Sequence, residues 1–243
     1  MNILMETLIG SCFIYESSTL QLKLAFMIVH NLGEENSVLN QFISEIRDSK
    51  VQKDAMRFRR NIERIGEILG YEFSKELAYC SAMVETPLGS KEMNLYQNQL
   101  VICSILRAGL PLHQGLLNYF DTAENGFISA FRKHEGNKDN FEVIVKYFAA
   151  PSLEGKVLIL TDPMLATGRT LENVLLALKE HGTPSAIHII SVIGSQQGIE
   201  YIDNIFPEDT HLWIAAIDPE LNARGYILPG IGDAGDLAFG EKL

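Results

Sequence analysis

Apolar residues recur along this chain in two spacings, which predict strands alternating with helices. Short continuous apolar runs, typical of strands buried inside a sheet, lie at residues 100–106, 127–131, 157–160, 185–193 and 211–217. Apolar residues at helical spacing lie before or between these runs, at residues 38–46, 53–69, 171–179 and 197–206. The alternation predicts an α/β fold with a central, mainly parallel sheet flanked by helices.

Turn and cap signals add further features to this outline. Asn36 or Ser37 is positioned to cap the first helix. A Thr-Pro-Leu-Gly turn at residues 86–89 joins two short strand patterns and predicts a β-hairpin. The alternating pattern at residues 141–147 predicts a more exposed strand. No repeat or low-complexity linker divides residues 34–243, which are therefore predicted to form a single domain.

The helix predicted at residues 53–69 is strongly amphipathic. Its buried side is predicted to carry Met56, Ile62, Ile65 and Leu69. Its arginines, at residues 57, 59, 60 and 64, form the most basic segment of the chain. We interpret them as a solvated face that pairs with Glu63 and Glu67, with an effector-phosphate or subunit contact as the alternative.

Residues 1–33 are apolar, but scattered charges interrupt them and their first residues do not form a basic segment. A signal peptide is therefore the weaker interpretation. No uninterrupted apolar stretch is long enough to span a bilayer, so no membrane association is predicted. We set residues 1–33 apart as an N-terminal extension of uncertain status.

Composition narrows the classes of partner. The chain has 243 residues, 47% of them hydrophobic, which is enough to bury a substantial core in one domain. The net charge is −11 and no basic run is present. This balance argues against nucleic acid or an anionic membrane as a partner.

Cysteines and histidines give no sign of a metal site. Cys12, Cys80 and Cys103 are odd in number and lack CxxC spacing, so we expect buried, small apolar side chains in a reducing compartment, the cytoplasm. His188 and Trp213 are expected in the core. Because neither the histidines nor the cysteines cluster in the sequence, no protein-ligated transition metal is predicted.

A junction of strand, loop and helix at residues 156–171 carries candidate chemistry. A helix N-terminus binds anions, because its unpaired N–H groups point outward with the positive end of the helix dipole behind them. Gly168 permits a positive φ, and the hydroxyls of Thr167 and Thr170 add donors. Asp162, at the strand end, is placed to accept hydrogen bonds from vicinal sugar hydroxyls. The pattern predicts a site for a phosphorylated sugar, with an ordinary βα turn as the alternative.

The strand predicted at residues 100–106 ends in a second turn suited to anions. Arg107 can clamp a pyrophosphate through two parallel hydrogen bonds, and the backbone amides of Ala108 and Gly109 add donors.

Residues 218–240 are too rich in Gly and Pro for a helix and too apolar for a disordered tail. We expect an ordered loop whose backbone amides and carbonyls read the donor and acceptor edge of a pyrimidine. Tyr226 would supply a flat apolar wall.

Three motifs resemble the type I phosphoribosyltransferases, in the form used by the uracil branch. The family's signature for PRPP (5-phosphoribosyl 1-pyrophosphate) resembles Asp-Pro-Met-Leu-Ala-Thr-Gly-Arg-Thr at residues 162–170. Its pyrophosphate loop resembles Ile-Leu-Arg-Ala-Gly at 105–109, and its uracil-binding tail resembles Gly-Tyr-Ile-Leu-Pro-Gly-Ile-Gly-Asp-Ala-Gly-Asp at 225–236. The matches run from about Val38 to the end. They imply the type I phosphoribosyltransferase fold, with a small hood and a β-hairpin arm.

The resemblance implies a set of site residues. PRPP would be bound by Arg107, Arg132, Asp162, Pro163, Met164, Leu165, Ala166, Thr167, Gly168, Arg169, Thr170 and Asp233. Uracil would be bound by Tyr226, Ile227, Gly232, Asp233 and Ala234. Catalytic roles would fall to Asp233, Arg107 and Arg132. A strained peptide next to Arg107 is implied, as is a flap around residues 135–140 that closes over the ligand.

The chain departs from the family pattern at several positions. Most relatives in the wider family carry two adjacent acids before the loop, whereas Asp162 is followed by Pro163, which favours the uracil branch. Arg169 stands where the uracil enzymes usually have Gly. Residues 131–135 read Phe-Arg-Lys-His-Glu where the family usually has Tyr-Arg-Asn-Glu-Glu.

The activity implied by the resemblance is uracil salvage, in which uracil and PRPP give UMP and pyrophosphate. It implies Mg²⁺ bound mainly through PRPP and a homodimer or higher homo-oligomer, and it leaves GTP as an effector open. One alternative is a type I phosphoribosyltransferase for a purine or orotate, against which the tail argues. Another is a non-catalytic pyrimidine-nucleotide sensor or attenuator, which would bind RNA and need a basic face.

Overall fold

The structure is a computed structural model that describes residues 26–134 and 141–242, with side chains described outside residues 130–146. The strands are β1 (Ile28–Asn31), β2 (Tyr79–Thr86), β3 (Gly89–Tyr96), β4 (Leu100–Leu106), β5 (Glu124–His134), β6 (Phe141–Ala149), β7 (Val157–Thr161), β8 (Met164–Leu165), β9 (Ala186–Ser195), β10 (His211–Asp218), β11 (Glu220–Leu221) and β12 (Ile227–Leu228). The helices are α1 (Val38–Arg47), α2 (Ala55–Ser74), α3 (Gly109–Leu117), α4 (Arg169–Leu178), α5 (Gln196–Asp203) and α6 (Ala234–Phe239).

Within the described residues, eight of these strands form one sheet. Its order is β1-β10-β9-β7-β4-β5-β6, with β8 pairing to β9. Each neighbouring pair is parallel except β5 with β6, which is antiparallel. Strand β6 forms an edge, the position at which its alternating pattern is expected. The mainly parallel α/β architecture predicted from the sequence is confirmed.

Helices cover both faces of the sheet, and the side chains of the central strands alternate between two cores. On β4, Leu100 and Ile102 pack in the core shared with α1, α2, α3 and α6. Val101 and Cys103 pack in the core shared with α4 and α5. Because both faces are buried, the strand is a continuous apolar run rather than an alternating one.

Helix α1 begins at a side-chain cap. Ser37 Oγ accepts a hydrogen bond from the backbone N–H of Leu39 at 3.2 Å. The prediction of a cap at Asn36 or Ser37 is therefore confirmed at Ser37.

Helix α2 corrects the predicted buried face. Met56, predicted to be buried, is 63% exposed, whereas Phe58 is 1% exposed. The buried stripe runs through Phe58, Ile62, Ile65, Leu69 and Phe73. Met56 lies six residues before Ile62, which rotates it about 120° away from this stripe.

The arginines of α2 follow the predicted pairing in part. Arg60 Nη1 lies 2.5 Å from Glu63 Oε1, as expected for a solvated face. Arg59 instead donates to the backbone carbonyl of Ala238 in α6, at 2.6 Å. The basic segment therefore also ties α2 to the C-terminal tail.

Helices α2 and α3 approach each other closely at glycines. A Cβ on Gly115 of α3 would lie 2.2 Å from the carbonyl oxygen of Glu63 in α2. A Cβ on Gly66 would lie 2.7 Å from the carbonyl oxygen of Leu112. Because neither position has room for a methyl group, the two backbones pack directly against each other.

Strands β2 and β3 pair antiparallel as the predicted hairpin, from Tyr79 opposite Tyr96 to Thr86 opposite Gly89. Nearly all of its residues are exposed, and Leu88 at the tip is 100% exposed. The hairpin therefore stands away from the two cores as an arm.

The prediction for the cysteines is right at Cys103 and wrong at Cys80. Cys103 is buried beneath the sheet, and burial raises the pKa of its thiol to about 12. Cys80 is exposed because it lies on the hairpin, which no layer covers. Cys12 lies outside the described residues.

Strand β1 falls within the stretch set apart as an N-terminal extension. It pairs in parallel with β10, with Ile28 opposite His211. Residues 1–25 lie outside the described part of the chain, so the division after residue 33 stays a prediction. Of the helices that the structure describes, none is both long and apolar enough to cross a membrane.

Three histidines that are scattered in the sequence lie close together in the structure. His30 Nε2 lies 3.1 Å from His211 Nδ1, and the rings of His188 and His211 are 5.0 Å apart. The indole N–H of Trp213 donates to His188 Nδ1 at 3.2 Å. These residues are far apart in sequence, and the parallel pairing of β1, β10 and β9 brings them together. Among the described residues, no group of three or more potential ligands is arranged to hold a metal ion.

His188 and Trp213 lie in the core, as predicted, with 6% and 4% of their surfaces exposed. Burial, together with the neighbouring rings of His211 and His30, lowers the pKa of His188 to about 3. The imidazole is therefore neutral in the folded protein, as its bond from Trp213 requires.

We expect acidification to destabilise the fold through His188. An unfolded histidine has a pKa of about 6.5, so the unfolded chain binds more protons than the folded one below that pH. The free energy of unfolding should therefore fall as the pH drops from about 6.5 toward the folded pKa, by at most about 1.4 kcal/mol per pH unit. His188→Gln, which keeps an acceptor for the indole, should lose this contribution.

Urea unfolding of both proteins between about pH 7 and pH 5 checks this expectation. The stability of the wild type relative to His188→Gln should decrease as the pH falls. Parallel pH curves for the two proteins would contradict it.

Candidate active site

The carboxyl ends of β4 and β7 lie side by side at one edge of the sheet. The strands are parallel neighbours, with Ser104 opposite Thr161. Arg107 follows β4 and Asp162 follows β7, so the two predicted anion turns begin next to each other. Open parallel sheets bind ligands at this edge.

The turn between β7 and α4 ends in a left-handed glycine. Gly168 has a φ of 75°, and α4 begins at Arg169 without a side-chain cap. A Cβ on Gly168 would lie 2.8 Å from the side chains of Tyr201 and Ile202, so both conformation and space require glycine. The first-turn amides of α4 therefore offer donors to an anion.

Asp162 is half-buried between β7 and β8. Its Oδ1 accepts a hydrogen bond from the backbone N–H of Met164 at 3.2 Å. This bond holds the carboxylate at the strand end, beside the turn that leads to α4.

The turn is supported from below by the start of α5. The hydroxyl of Ser195, which is fully buried, donates to the carbonyl of Ala166 at 2.6 Å and accepts from the backbone N–H of Gly198 at 2.9 Å. A Cβ on Gly198 would lie 2.1 Å from the same carbonyl oxygen. Strand β9 and helix α5 thus fix the position of the turn.

Arg107 connects its turn to the C-terminal tail. Its Nη2 lies 2.8 Å from Asp236 Oδ1, and its Nη1 donates to the carbonyl of Gly240 at 3.1 Å. Its Nε is buried and has no hydrogen-bond partner within the described residues. Described partners engage two of the five N–H donors of the guanidinium, so Nη1 and Nη2 each keep a second hydrogen for a further acceptor. The peptide bond between Leu106 and Arg107 is cis.

The expectation that residues 218–240 contain no helix is wrong at the end of the tail, where Asp233 caps the short helix α6 that carries Asp236. Its Oδ1 accepts a hydrogen bond from the backbone N–H of Asp236 at 3.0 Å. A Cβ on Gly235 would lie 3.1 Å from Asp233 Oδ1 and 3.4 Å from Arg107 Nη2. The tail and the Arg107 turn are therefore in direct contact.

A partly buried ion pair anchors the tail to α1. Arg47 makes two hydrogen bonds to the carboxylate of Asp218, at 2.8 and 2.9 Å, and a third to the carbonyl of Gly230 at 3.1 Å. The backbone N–H of Gly230 donates to Asp218 Oδ2 at 2.8 Å. Asp218 is 5% exposed, so this cluster closes the inner side of a hood made from α1 and the tail.

The segment between these anchors forms a small two-stranded sheet. Strand β12 pairs antiparallel with β11, and the backbone N–H of Tyr226 donates to Asn222 Oδ1 at 3.0 Å. Ile227 is 3% exposed and packs in the same core as Ala166, whereas Tyr226 is 39% exposed. One side of the segment is thus fixed and the tyrosine remains accessible.

A family model described as uracil phosphoribosyltransferase matches residues 34–241. The chain belongs to the uracil phosphoribosyltransferase family. A relative of that name from Porphyromonas gingivalis is 52% identical over 217 residues, which cover 89% of this chain and 100% of the relative. One from Pyrococcus furiosus is 38% identical over 213 residues, covering 86% of this chain and 89% of the relative. A solved structure from Aquifex aeolicus is 30% identical with a TM-score of 0.78, covering 88% of this chain and 98% of that one.

The structure brings together most of the segments to which the uracil phosphoribosyltransferase resemblance assigned binding. Asp162 follows the strand beside that of Arg107, and Arg107 touches the tail through Asp236. Apolar side chains of the β7–α4 turn and the tail share one core, through Ala166, Ile227 and Ala234. The binding roles themselves stay predictions.

Two parts of the predicted site are not placed with the others. Arg132 lies in β5, the strand next to β4, but its side chain is outside the described residues. The flap predicted around residues 135–140 is also outside them. Arg169 and Thr170, predicted as loop residues, form the first turn of α4, where Arg169 is exposed.

Sequence reasoning missed several side chains that shape the uracil phosphoribosyltransferase site. Asp236 holds Arg107, the pair of Arg47 and Asp218 holds the tail, and Ser195 holds the β7–α4 turn. Asp236 ends a recognised motif, and that signal could have found it. The others become visible only once distant segments are placed side by side.

Removing Arg47 should destabilise the protein. Arg47→Met leaves the buried carboxylate of Asp218 with the Gly230 amide as its remaining contact among those described. We expect the free energy of unfolding to fall by about 2–3 kcal/mol, because a buried charge loses its partner. Urea unfolding followed by circular dichroism measures the change.

A matched control is Arg57→Met, on the neighbouring helix. Arg57 is half-exposed and lies 3.4 Å from Glu45, so its loss should cost at most about 0.5 kcal/mol. Equal losses in the two variants would show that the Asp218 cluster contributes nothing special.

Proposed function

We propose that this protein transfers the 5-phosphoribosyl group of PRPP to N1 of uracil. A bond forms between N1 and C1′ of the ribose as the bond from C1′ to the pyrophosphate oxygen breaks, and N1 loses its proton. The products are UMP and pyrophosphate, the outcome expected of uracil salvage. The observation that carries the proposal is the contact of Arg107 with Asp236, which joins the pyrophosphate-type turn to the uracil-type tail.

The 5′-phosphate would lie at the N-terminus of α4. The left-handed Gly168 and the first-turn amides suit a phosphate monoester, and the hydroxyls of Thr167 and Thr170 belong to the same turn. Asp162, held by Met164, would accept hydrogen bonds from the ribose hydroxyls. Binding both ends of the ribose phosphate would orient C1′ toward the tail, which is the positioning part of catalysis.

The pyrophosphate would lie over the turn after β4. Arg107 would stabilise the charge that develops on the leaving group through the second hydrogens of Nη1 and Nη2, each of which donates one hydrogen to the tail. The amides at the start of α3 would add to this stabilisation. Arg132, near the carboxyl end of the neighbouring strand β5, is proposed as a second cation for the leaving group.

Mg²⁺ is proposed as a cofactor carried chiefly by PRPP. Mg²⁺ prefers oxygen ligands and is commonly held by one or two carboxylates together with substrate phosphates. Asp162 at the tip of β7 fits this pattern, and no carboxylate cluster that could hold the ion alone is found among the described residues. Bound there, Mg²⁺ would neutralise part of the pyrophosphate charge.

Uracil would lie against the tail. The backbone of residues 227–234 would read its polar edge, and Tyr226 would cover its ring. Asp233 would either polarise N1–H or balance positive charge on the ribose, and both roles need its negative charge. The self-association implied by the family resemblance stays a prediction; the exposed hairpin arm offers apolar surface for it, including Met83 and Leu88.

Pyrophosphate release from PRPP tests the activity directly. With Mg²⁺ present, release is expected with uracil and at most trace release with hypoxanthine, guanine, adenine or orotate, because those bases leave polar groups of the tail unpaired. A coupled pyrophosphatase assay measures each rate. Faster turnover with a purine or orotate would replace uracil as the substrate, and no release with any base would remove the activity.

Asp233→Asn separates the charge of this residue from its structural role. Asn caps helices as well as Asp does, so α6 should keep its start and the free energy of unfolding should change by less than about 0.5 kcal/mol. Turnover at saturating substrates should fall roughly a hundredfold, whereas the KM for PRPP should change less than about threefold.

Steady-state kinetics measures both parameters, and Asp209→Asn, at an exposed site, is the matched control. Equal losses in turnover and in PRPP affinity would assign Asp233 to binding instead of chemistry.

A further inference from the structure

A chain of hydrogen bonds runs beneath the two anion turns. Thr161 Oγ1 and Ser104 Oγ lie 2.5 Å apart, and Ser104 Oγ lies 2.6 Å from His113 Nδ1. His113 Nε2 lies 2.8 Å from Asn125 Oδ1. Ser104 and Thr161 are 0% exposed and His113 is 3% exposed, so the chain runs through the protein interior and reaches the surface at Asn125.

The donors and acceptors in this chain can be assigned in one direction. Asn125 Nδ2 donates to the carbonyl of Ala123 at 3.1 Å, so Oδ1 faces His113 and His113 Nε2 carries the hydrogen. A neutral imidazole then accepts at Nδ1 from the hydroxyl of Ser104, which in turn accepts from Thr161. Burial lowers the pKa of His113, which favours this neutral form.

These hydrogen bonds link the elements that carry both turns. Ser104 lies on β4 three residues before Arg107, and Thr161 is the last residue of β7, directly before Asp162. His113 lies in the second turn of α3, whose first residue, Gly109, follows the Arg107 turn. One histidine therefore joins a helix to the ends of two strands.

A nucleophilic role for this serine and histidine is excluded by burial. Ser104 is 0% exposed, and its hydroxyl is already engaged by His113 and Thr161. No substrate atom has access to it, so the arrangement acts on position and not on bonds.

Helix α3 is positioned both by close packing and by the hydrogen bond from Ser104. The glycine contact with α2 fixes how closely α3 approaches, and a Cβ on Gly109 would lie 3.4 Å from the carbonyl oxygen of Thr161. These contacts set how closely α3 approaches its neighbours, and a hydrogen bond adds a preferred direction to them. The bond from Ser104 to His113 supplies that direction.

We propose that His113 is a positioning residue for the pyrophosphate half of the site. Through Ser104 and Thr161 it holds α3 in the register at which Arg107 and the amides of Ala108 and Gly109 face the diphosphate. The proposal rests on the proposed function, because that function places pyrophosphate over this turn. Binding of the base depends on the tail, so His113 should not affect it.

His113→Phe tests the proposal, because it keeps an aromatic ring beside Phe127 and removes both nitrogens. Affinity for inorganic pyrophosphate with Mg²⁺, measured by calorimetry, should fall about tenfold, because only a fraction of the molecules would then hold the Arg107 turn in the binding register. The KM for PRPP should rise by a similar factor, and the KM for uracil should stay within about twofold. A histidine that only stabilised the fold would lower the active fraction without this split.

Conservative variants sharpen the test. His113→Asn places an acceptor where Nδ1 was and should restore most of the pyrophosphate affinity, whereas His113→Gln places its polar group toward Asn125 and should not. His181→Phe, at a half-buried histidine in the 3-10 turn that follows α4, is the matched control and should bind pyrophosphate as the wild type does. If His113→Phe does not fold, Ser104→Ala breaks the same link with a smaller change and should also weaken pyrophosphate binding.

Each outcome decides between the two proposals. Unchanged pyrophosphate affinity in a folded His113→Phe, or in Ser104→Ala when it does not fold, overturns the positioning role. A wild type that binds pyrophosphate but releases none from PRPP with any base overturns the proposed function, while the affinities still test His113. A wild type that neither binds pyrophosphate nor turns over PRPP overturns both.

Discussion

The parallel pairing of β4 with β7 is the constraint on which the candidate site depends. It places Ser104 opposite Thr161 and therefore starts both anion turns at one edge of the sheet. Had either strand run in the opposite direction, Arg107 and Asp162 would lie at opposite edges. The pairing is secured by burial on both faces, because each strand contributes apolar side chains to the core above and to the core below.

An acidic protein that binds a polyanion must concentrate positive potential locally. The chain has a net charge of −11, yet the described turns present Arg107 and the N-termini of two helices at one edge. Asp236 holds Arg107 in place and offsets part of its charge. The site therefore has a guanidinium of fixed orientation, although Asp236 weakens its positive potential. A fixed guanidinium favours a ligand that accepts two parallel hydrogen bonds over anions in general.

The features predicted from the sequence are those with a local cause. Continuous apolar runs fixed the strands of a doubly covered sheet, Ser37 marked a helix start, and Gly168 marked a positive φ. The prediction for Met56 was wrong, because at 3.6 residues per turn it lies about 120° around α2 from Ile62 and faces solvent. Cys80 was expected inside because a cysteine is usually buried, and its sequence does not reveal that the arm lacks a covering layer.

The features that escaped prediction join residues from opposite parts of the chain. Arg47 and Asp218, Arg107 and Asp236, and the histidines of β1, β9 and β10 meet because of sheet order and hood closure. Arg47, Asp218 and the histidines each look like an ordinary surface charge or core residue in the sequence. Arg107 and Asp236 lie in recognised motifs, but a single sequence carries no signal that they meet. The motifs indicated which segments form the site, and the topology determined what holds them.

The contact of Gly115 with the carbonyl of Glu63 limits which substitutions this protein can accept. Helix α2 carries none of the residues assigned to ligands, but its backbone lies directly against the helix that begins at the pyrophosphate turn. A methyl group at residue 115 has nowhere to go except by displacing one helix. Replacing helical glycines by alanine, a common route to thermostable variants, is therefore closed here, and neutral drift on the inner surface of α2 is confined to substitutions that leave this spacing intact.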